Sequence, residues 1–516
     1  MTRSKSLCTL GIWVLALGLA AASTQQAQSG FERHWGRQFR PPEPRGTTQG
    51  AGTARRPPQS RTSRDLIGDW NQIAIDAAGL DHTPITAGET RVFGEQLGPG
   101  RSSRAVAIVQ VAVFDAVNAI ADEYHSFMPV GPAVPGASME AAVVQAAHDT
   151  LVALYPSQAA YFGERLEEDL AQIPDRPGKF DGIAIGARAA ALILADRNTD
   201  GTPVPDPRMG IDFIPQSGAG WWRMDPVSQV PIALGAYWGL VQPFVLASPS
   251  QFRVPPPPAL NSAAYAAAYN EVKRLGGDGS MTPTERTDDQ TLAGIYWAYD
   301  GTPSLCAPPR LYNQIARQIA DEMHTMGAVD YARLLALVNV AMADAGIAGW
   351  ESKYHYQVWR PITAIREADA GTGPTGTGDG NPATLGDLTF VPLGAPASNL
   401  HGPNFTPPFP AYPSGHATLG GALFQVLRRF YDTDEIRFTF VSDEFNGITR
   451  DNTGVVRPLL PRTFNTLSEA EEENGQSRIY LGIHFSFDKT EGIKQGRQIA
   501  DYVLTHAFTP AKKGKK

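Results

Sequence analysis

One stretch of the sequence, FPAYPSGHATLGGA at residues 409–422, places four chemically distinct residues in immediate succession. Pro413 and Ser414 are residue types that begin a helix, and Gly415 lets a ligand approach the backbone closely. The first turn of a helix presents unpaired N–H groups and the positive end of the helix dipole, which favour an anion. With His416 directly behind it, the segment predicts one wall of an oxyanion site. Such a tetrapeptide also occurs as a simple capped turn, so other segments must supply the anion's remaining partners.

A second segment, GWESKYHYQVWRPITAIRE, supplies two cations. Steps of three, four and three residues place four side chains on one face of a predicted helix: Trp350, Lys353, Gln357 and Arg360. Pro361 is expected to kink or end this helix beside the arginine. The two cations alone could be ordinary solvated charges. The strongly apolar turns that precede them, LLALVNVAMADAGIAGW, instead favour a helix that is buried on most sides.

A third segment, ENGQSRIYLGIHFSFDKTEG, lies near the C-terminus. Arg478 offers a planar set of donors that suits an oxyanion. His484 and Asp488 are four residues apart and can lie on one helix face. A carboxylate beside a histidine fixes its tautomer and raises its basicity, as a metal ligand or a nucleophile requires. The pair alone could also be a core histidine with a surface acid.

The three segments together carry more information than any one of them. K-x6-R-P at residues 353–361, P-S-G-H at 413–416 and S-R-x5-H-x3-D at 477–488 bring together three cations, a helix N-terminus, a hydroxyl and two histidines. These groups could hold one tetrahedral trianion and act on it from opposite sides. The set resembles the three-part signature that vanadium-dependent haloperoxidases share with type-2 phosphatidic acid phosphatases.

The resemblance extends through the C-terminal half of the chain. Further segments are similar to the fungal-type vanadium chloroperoxidases: YWAYDG at 296–301, PPRLYNQIARQIA at 308–320, DYARLLALVNVAMADAGI at 330–347, GAPASN at 394–399, PPFPAYPSGHATLGGALFQ at 407–425 and SRIYLGIHF at 477–485. The resemblance implies an all-α fold of two four-helix bundles, with the vanadate site at one end of the second bundle.

The resemblance also implies a role for each matching residue. His484 would be the axial ligand of vanadium, and His416 would be the general acid and base that faces the apical oxygen. Asp300 would be a supporting carboxylate. The oxyanion oxygens would accept hydrogen bonds from the following groups: Lys353, Arg360, Ser414, the backbone N–H of Gly415, and Arg478. The ammonium of Lys353 would also polarise bound peroxide.

The resemblance implies an enzyme that oxidises halide with hydrogen peroxide to hypohalous acid, which then halogenates a small organic acceptor. Phe409, seven residues before His416, and Trp350 are expected to line an apolar halide pocket that supports bromide and iodide oxidation and weaker chloride oxidation. Core packing is an equally good interpretation of Trp350. An exported acid phosphatase is the alternative, with His484 as a nucleophile that forms a phosphohistidine. A binding module for phosphate or vanadate, without turnover, is a third hypothesis.

The elements that must position these residues are predicted to be helices. Apolar residues recur at three- and four-residue spacing from about residue 65 onward, and long connections rich in Pro and Gly separate the helical segments, as at 370–412. We divide this part into an N-terminal bundle at 65–255 and a C-terminal bundle with the vanadate site at 256–516. The apolar segment at 230–248 is long enough to span a membrane, but its prolines and glycines favour a buried irregular segment.

Residues 1–23 have two basic residues, an apolar run and small residues at the end, which indicate a signal peptide; a retained membrane anchor is the alternative. Residues 24–64 form an arginine-rich leader with repeated Pro, Gly and Gln that we expect to be disordered. Loss of Arg3 and Lys5 with the signal would change the formal net charge from −8 to −10. This acidity argues against nucleic-acid binding.

The predicted signal peptide also indicates a secreted or periplasmic protein without a stable membrane span after cleavage. Cys8 would leave with the signal and Cys306 would be alone, so no intrachain disulfide is expected. A homo-oligomer is left open by the sequence.

Overall fold

The structure is a computed structural model that describes residues 61–511 except 203, 204, 397 and 399, together with Trp35, Gln38 and Phe39. The predicted signal peptide at 1–23 and most of the predicted leader at 24–64 lie outside the described residues. Within the predicted bounds of the leader, Trp35 and Phe39 are buried and a helix begins at Ser63. The disordered leader otherwise stays a prediction.

The described residues are mainly helical, as the sequence predicts. The helices are α1 (Ser63–Asp81), α2 (Gly98–Ala121), α3 (Met139–Leu154), α4 (Ala159–Leu170), α5 (Pro177–Arg197), α6 (Ala263–Leu275), α7 (Asp288–Tyr296), α8 (Pro308–Glu322), α9 (Ala328–Tyr356), α10 (Pro361–Arg366), α11 (Gly415–Tyr431), α12 (Leu467–Tyr480) and α13 (Ser486–His506). Single 3₁₀ turns lie at Pro156–Gln158, Trp238–Leu240 and Asp443–Phe445. Two short antiparallel strands, β1 (Phe438–Phe440) and β2 (Arg462–Phe464), pair Phe438 with Phe464.

The long helix α9 runs through the main hydrophobic core and packs against α2, α11 and α13. Nearly every residue from Tyr331 to Lys353 is buried, because the helix carries alanine, leucine and valine on most of its faces. The largest hydrophobic cluster contains residues from both sides of position 255. The division into bundles at 65–255 and 256–516 stays a prediction.

Helices α11 and α13 approach each other closely, and this contact brings two parts of the site together. A Cβ atom on Gly496 would lie 2.1 Å from the carbonyl oxygen of Thr418, and one on Gly492 would lie 2.9 Å from the carbonyl oxygen of Ser414. Only glycine fits at such distances from a neighbouring backbone. The N-terminal turn of α11 is therefore held against the first turns of α13.

The prediction of one continuous helix over residues 350–361 is wrong for its C-terminal part. Helix α9 ends at Tyr356, and Gln357 caps it in the left-handed conformation with φ 47°. Arg360 is extended, as the residue before a proline should be, and Pro361 starts the separate helix α10. Trp350 and Lys353 share α9, whereas Gln357 and Arg360 lie beyond its end.

The segment at 230–248 is irregular, with one 3₁₀ turn at Trp238–Leu240, and most of its large apolar side chains are buried. This confirms the interpretation of a buried irregular segment. Among the described residues, α2 and α9 are long and apolar enough to cross a membrane. In the most apolar 18-residue stretch of each helix, 83% of α2 and 94% of α9 is buried inside the protein, as expected for core helices.

Candidate oxyanion site

The PSGH segment begins helix α11, as predicted. Ser414 is the N-cap, and its Oγ accepts a hydrogen bond from the amide of Ala417 at 3.4 Å. The amide of Ser414 donates to the carbonyl of Asp488 on α13 at 3.0 Å. Gly415 follows in the first turn, where helix amides have no partner within the helix. A Cβ there would lie 3.1 Å from the indole of Trp350, so glycine keeps the backbone open to the cavity described below.

His416 is held by a backbone carbonyl. Its Nε2 lies 2.6 Å from the carbonyl oxygen of Ala298, an arrangement in which Nε2 carries the proton and donates. Nδ1 is then the nitrogen that remains for proton exchange. Burial lowers the pKa of His416, and the positive charge of Arg478 lowers it further. His416 is therefore neutral at ordinary pH before an anion offsets the nearby cations.

His484 has the opposite tautomer. Its Nδ1 donates to Oδ2 of Asp488 at 2.8 Å, and its Nε2 accepts from Nη1 of Arg360 at 2.9 Å. Burial lowers the pKa of the imidazole, and the charge of Arg360 acts in the same direction. The lone pair of Nε2 is thus available to a ligand.

The expectation that His484 and Asp488 share a helix face is wrong in detail. His484 precedes α13, and Asp488 lies in the first turn of that helix. Asp488 is a buried acid rather than a surface acid, and burial raises its pKa. Its Oδ2 also accepts from the amide of Phe485 at 2.9 Å, which fixes the carboxyl beside the imidazole.

Two buried arginines carry donors without an acceptor in the part of the chain that the structure describes: Nη2 of Arg360, and Nε and Nη1 of Arg478. The remaining Nη2 of Arg478 donates to Oδ1 of Asp300 at 2.6 Å. Burial raises the pKa of Asp300, while the charge of Arg478 opposes that rise. A buried donor without a partner costs about 1–3 kcal/mol, and more when it is charged. The arrangement therefore favours an anion between these groups.

Lys353 is also buried beside the site, but its ammonium is occupied. Nζ donates to the carbonyls of Pro410 at 3.0 Å and Ala411 at 3.1 Å, and also to that of Pro413. Burial lowers the pKa of Lys353, and the nearby Arg360 lowers it further. An ammonium has three N–H groups, so a hydrogen bond to an oxyanion would have to replace one of these contacts.

A cavity connects these groups with an apolar wall. Seven of the predicted site residues line it: Asp300, Trp350, Phe409, Gly415, His416, Arg478 and His484. Three others lie directly behind the lining: Lys353, Arg360 and Ser414. The rings of Trp350 and Phe409 are in contact, with centroids 4.9 Å apart. The guanidinium of Arg360 lies 4.9 Å from the centroid of Phe409.

Sequence reasoning missed much of the apolar wall, which includes Trp35, Val230, Leu234, Phe405, Pro407 and Pro408. Leu234 belongs to the irregular segment that we expected to be buried, but no chemical motif connects it with the site. Trp35 belongs to the predicted leader. The available signal was the four-residue spacing of two aromatic residues, Trp35 and Phe39, in a leader rich in polar and basic residues.

The donor set suits an oxyanion rather than a bare metal ion. Within the described ranges, no group of three or more His, Cys, Asp and Glu side chains is arranged to hold a metal ion. The site instead offers one imidazole lone pair, two guanidinium groups and helix amides, which fit a tetrahedral oxyanion that binds one nitrogen ligand. His416 adds a proton donor or acceptor at the same cavity.

Comparison with known proteins gives matches over most of the chain. The chain is 32% identical over 502 residues to vanadium chloroperoxidase from Curvularia inaequalis, a match that covers 81% of this chain and 78% of that protein. Residues 333–513 match the family described as the VCPO second helical-bundle domain. A shorter match, 28% identical over 102 residues, is to the vanadium-dependent bromoperoxidase of Corallina officinalis and covers 19% of this chain and 16% of that protein.

Two solved structures share the fold. A bacterial vanadium-dependent iodoperoxidase superposes with a TM-score of 0.66 at 23% identity, covering 87% of this chain and 98% of that chain. A holo-type bacterial vanadium-dependent chloroperoxidase superposes with a TM-score of 0.58 at 18% identity, covering 85% of this chain and 96% of the other. At these identities the two structures support the helical fold.

Proposed function

The chain belongs to the vanadium-dependent haloperoxidases, with vanadate as its cofactor, and on this premise we propose that it oxidises bromide and iodide readily and chloride more slowly. The reaction consumes one halide, one hydrogen peroxide and one proton, and it yields one hypohalous acid and one water. The hypohalous acid then halogenates a small organic acceptor.

One observation supports the assignment of the site most directly. The free donors of Arg360 and Arg478 lie at the same buried site as the unprotonated Nε2 of His484. An oxyanion that takes these donors would also replace Arg360 as the partner of that nitrogen. Bound vanadate supplies a Lewis-acid centre that activates hydrogen peroxide toward halide.

We assign the binding of vanadate to three kinds of group in this chain. Arg360 and Arg478 donate from guanidinium groups, Gly415 donates from its backbone amide, and His484 provides the nitrogen ligand. Asp488 holds the tautomer of His484, and Asp300 orients Arg478 through the 2.6 Å contact. Ser414 and Lys353 also belong to the predicted set of donors. Lys353 reaches a bound oxyanion when one of its three contacts with the carbonyls of 410–413 is released.

His416 is the proposed acid and base. Its Nε2–H is fixed on the carbonyl of Ala298, so Nδ1 takes up and releases the protons that the reaction moves. Burial is the main cause of the lowered pKa of this histidine, and the site's cations lower it further before an anion binds. A bound anion offsets that positive charge and raises the pKa toward its ordinary value, which prepares the imidazole for proton transfer.

Trp350 and Phe409 form the proposed halide pocket. Both rings line the cavity, and Phe409 also packs against the guanidinium of Arg360. An apolar wall lowers the local dielectric constant and strengthens the effect of nearby cations on bound peroxide. Chloride is harder to oxidise than bromide, so its rate depends most on this effect.

The proposal extends to the organisation of the chain. We propose two four-helix bundles, with the vanadate site at one end of the second, and export directed by residues 1–23. The long helical segments and the basic, apolar and small residues of the N-terminus support these two statements.

The test of the halide proposal is a comparison of steady-state rates of the vanadate-loaded protein with iodide, bromide and chloride at several pH values. We expect all three to be oxidised, in decreasing order of rate. A protein that oxidises only iodide would contradict the halide pocket. Hydrolysis of p-nitrophenyl phosphate by the vanadate-free protein, without bromide oxidation after loading, would favour the phosphatase alternative.

A further inference from the structure

The indole of Trp35 lines the apolar side of the active-site cavity. Only 3% of this residue is exposed, although it lies 28 positions before the first residue of helix α1 at Ser63. It lines the same cavity as His416, Arg478 and His484. A residue from the N-terminal segment is therefore part of the wall around the proposed vanadate site.

Trp35 is held in place by aromatic contacts. Its ring lies 5.0 Å from that of Phe405 in an edge-to-face arrangement, and 5.9 Å from that of Phe39. Phe39 contacts Phe405 in turn, at 5.8 Å and an interplanar angle of 87°. Phe405 also lines the cavity, whereas Phe39 supports the other two rings from behind.

Two glycines pack against these rings. A Cβ atom on Gly402 would lie 2.4 Å from Cδ1 of Phe39, so the ring rests directly on the backbone there. A Cβ atom on Gly301 would lie 3.8 Å from Cη2 of Trp35. Gly301 follows Asp300, the partner of Arg478. Trp35 thus packs beside the segment that carries the supporting carboxylate.

The position of Trp35 bears differently on small and on large substrates. Halide ions and hydrogen peroxide are smaller than the indole ring. An organic acceptor that passes Trp35 to the polar end of the cavity near His416 has to displace an aromatic ring. Ring contacts with Phe39 and Phe405 oppose such a displacement.

We propose that Trp35 is a specificity-determining residue that keeps organic acceptors out of the cavity. This inference rests on the proposed haloperoxidase function. Inside the cavity, halide, hydrogen peroxide and a proton give hypohalous acid and water. Outside it, hypohalous acid replaces one aromatic C–H of the acceptor with a C–halogen bond, and the displaced hydrogen leaves in water. Removal of the indole lets the acceptor enter.

The first test measures binding without peroxide, so it does not depend on turnover. Calorimetry follows 2-naphthol binding to vanadate-loaded wild type, Trp35→Ala and Trp35→Leu, the last of which keeps apolar packing if the alanine variant fails to fold. We expect at least about tenfold tighter binding to the variants than to wild type. Phe180→Ala is the control, because Phe180 is an exposed ring on α5 that does not line the cavity. It should match wild type.

The second test follows bromination of 2-naphthol with excess taurine, which consumes free hypobromous acid. Taurine should suppress the reaction of wild type and of Phe180→Ala, whereas a fraction should persist in the Trp35 variants. Equal naphthol affinity in all proteins, or wild-type bromination that resists taurine, would overturn the role of Trp35. Absence of bromide oxidation with a clear Trp35 effect on binding would instead refute the proposed function.

Discussion

At the scale of single residues, His416 and His484 differ in which ring nitrogen the protein keeps protonated. A carbonyl holds Nε2–H of His416, and a carboxylate holds Nδ1–H of His484. The first arrangement leaves Nδ1 for proton exchange, and the second leaves Nε2 for a ligand. The two roles implied by the family resemblance are thus matched by two different hydrogen-bond patterns. Local sequence spacing predicts the acid beside His484 but contains nothing about the carbonyl of Ala298.

Substitution of His416 by alanine should separate binding from catalysis. The arginines and His484 remain, so we expect vanadate to be retained after dialysis while kcat for bromide falls by roughly 10²–10⁴-fold, as for a lost general acid and base. Vanadium content and steady-state rates measure the two effects. His355→Ala is a control, because His355 is an exposed histidine near the end of α9. Equal losses of vanadium and rate in His416→Ala would make His416 a binding residue.

Substitution of Phe409 by histidine should change halide selectivity. A polar ring raises the local dielectric constant and removes the apolar contact with the guanidinium of Arg360. We expect the ratio of chloride to bromide kcat/KM to fall, while Phe409→Leu, which stays apolar, keeps a ratio closer to wild type. Steady-state kinetics at several pH values give these ratios. An unchanged ratio of chloride to bromide kcat/KM in Phe409→His would refute the proposed halide pocket. The assignment to the family would not be affected.

At the scale of elements, the start of α11 was predictable and the end of α9 was not. Pro413 and Ser414 are strong local signals of a helix start. Gln357 ends α9 in a left-handed conformation that usually calls for glycine, so the sequence there has no stop signal. Arg360 still reaches His484 because the chain turns after α9 and α10 begins at Pro361. Helical spacing alone could not predict that path.

Helix α9 is also fixed by a buried acid. The carboxyl of Asp344 accepts hydrogen bonds from three consecutive amides, those of Phe244, Val245 and Leu246, at 2.6, 2.9 and 3.0 Å. These contacts attach the irregular segment at 230–248 to the helix that carries Trp350 and Lys353. Burial raises the pKa of Asp344 to about 6, although the three amides oppose the rise.

This pKa predicts how stability depends on pH. The pKa of this carboxyl is higher in the folded chain than in the unfolded chain, where it is about 4. The protonated carboxyl therefore stabilises the fold, and this contribution is fully present below a pH of about 4. The contribution is then lost as the pH rises through about 6. Wild type should therefore exceed Asp344→Asn in free energy of unfolding by more at pH of about 4 than at pH of about 8. Urea unfolding of both proteins measures the difference. A difference that grows toward the higher pH would mean that the ionised carboxylate is the form that holds the amides.

At the scale of the whole molecule, the cavity collects residues from distant parts of the chain. Trp35, Leu234, Asp300, Trp350 and His484 all line it, although 449 positions separate the first from the last. The motifs at 353–361, 413–416 and 477–488 predicted the polar end because its chemistry restricts residue types. The apolar wall needs only bulk and packing, which many residue types satisfy, so no chemical motif identifies it.

The three- and four-residue spacing of apolar residues predicts a mainly helical fold, but it does not predict how the helices pack. The close contact of α11 with α13 depends on Gly492 and Gly496, which read in the sequence as weak points within a helix. Their role is to let the two helices approach closely, and it is evident only from the structure, in which the backbone of Thr418 lies against Gly496. That contact sets the distance between the segment 413–416 and Asp488, and so it defines the site.

The most direct test of the account is the amount of vanadium bound per chain after the apoprotein is incubated with orthovanadate and dialysed. We expect wild type and the exposed-histidine control His355→Ala to retain stoichiometric vanadium, and inorganic phosphate to compete with it. His484→Ala should lose the vanadium, because among the described residues of the three motifs no other side chain offers a nitrogen ligand in the same position. The same samples should oxidise bromide in proportion to their vanadium content. Retention of vanadium with full bromide turnover in His484→Ala would contradict the account.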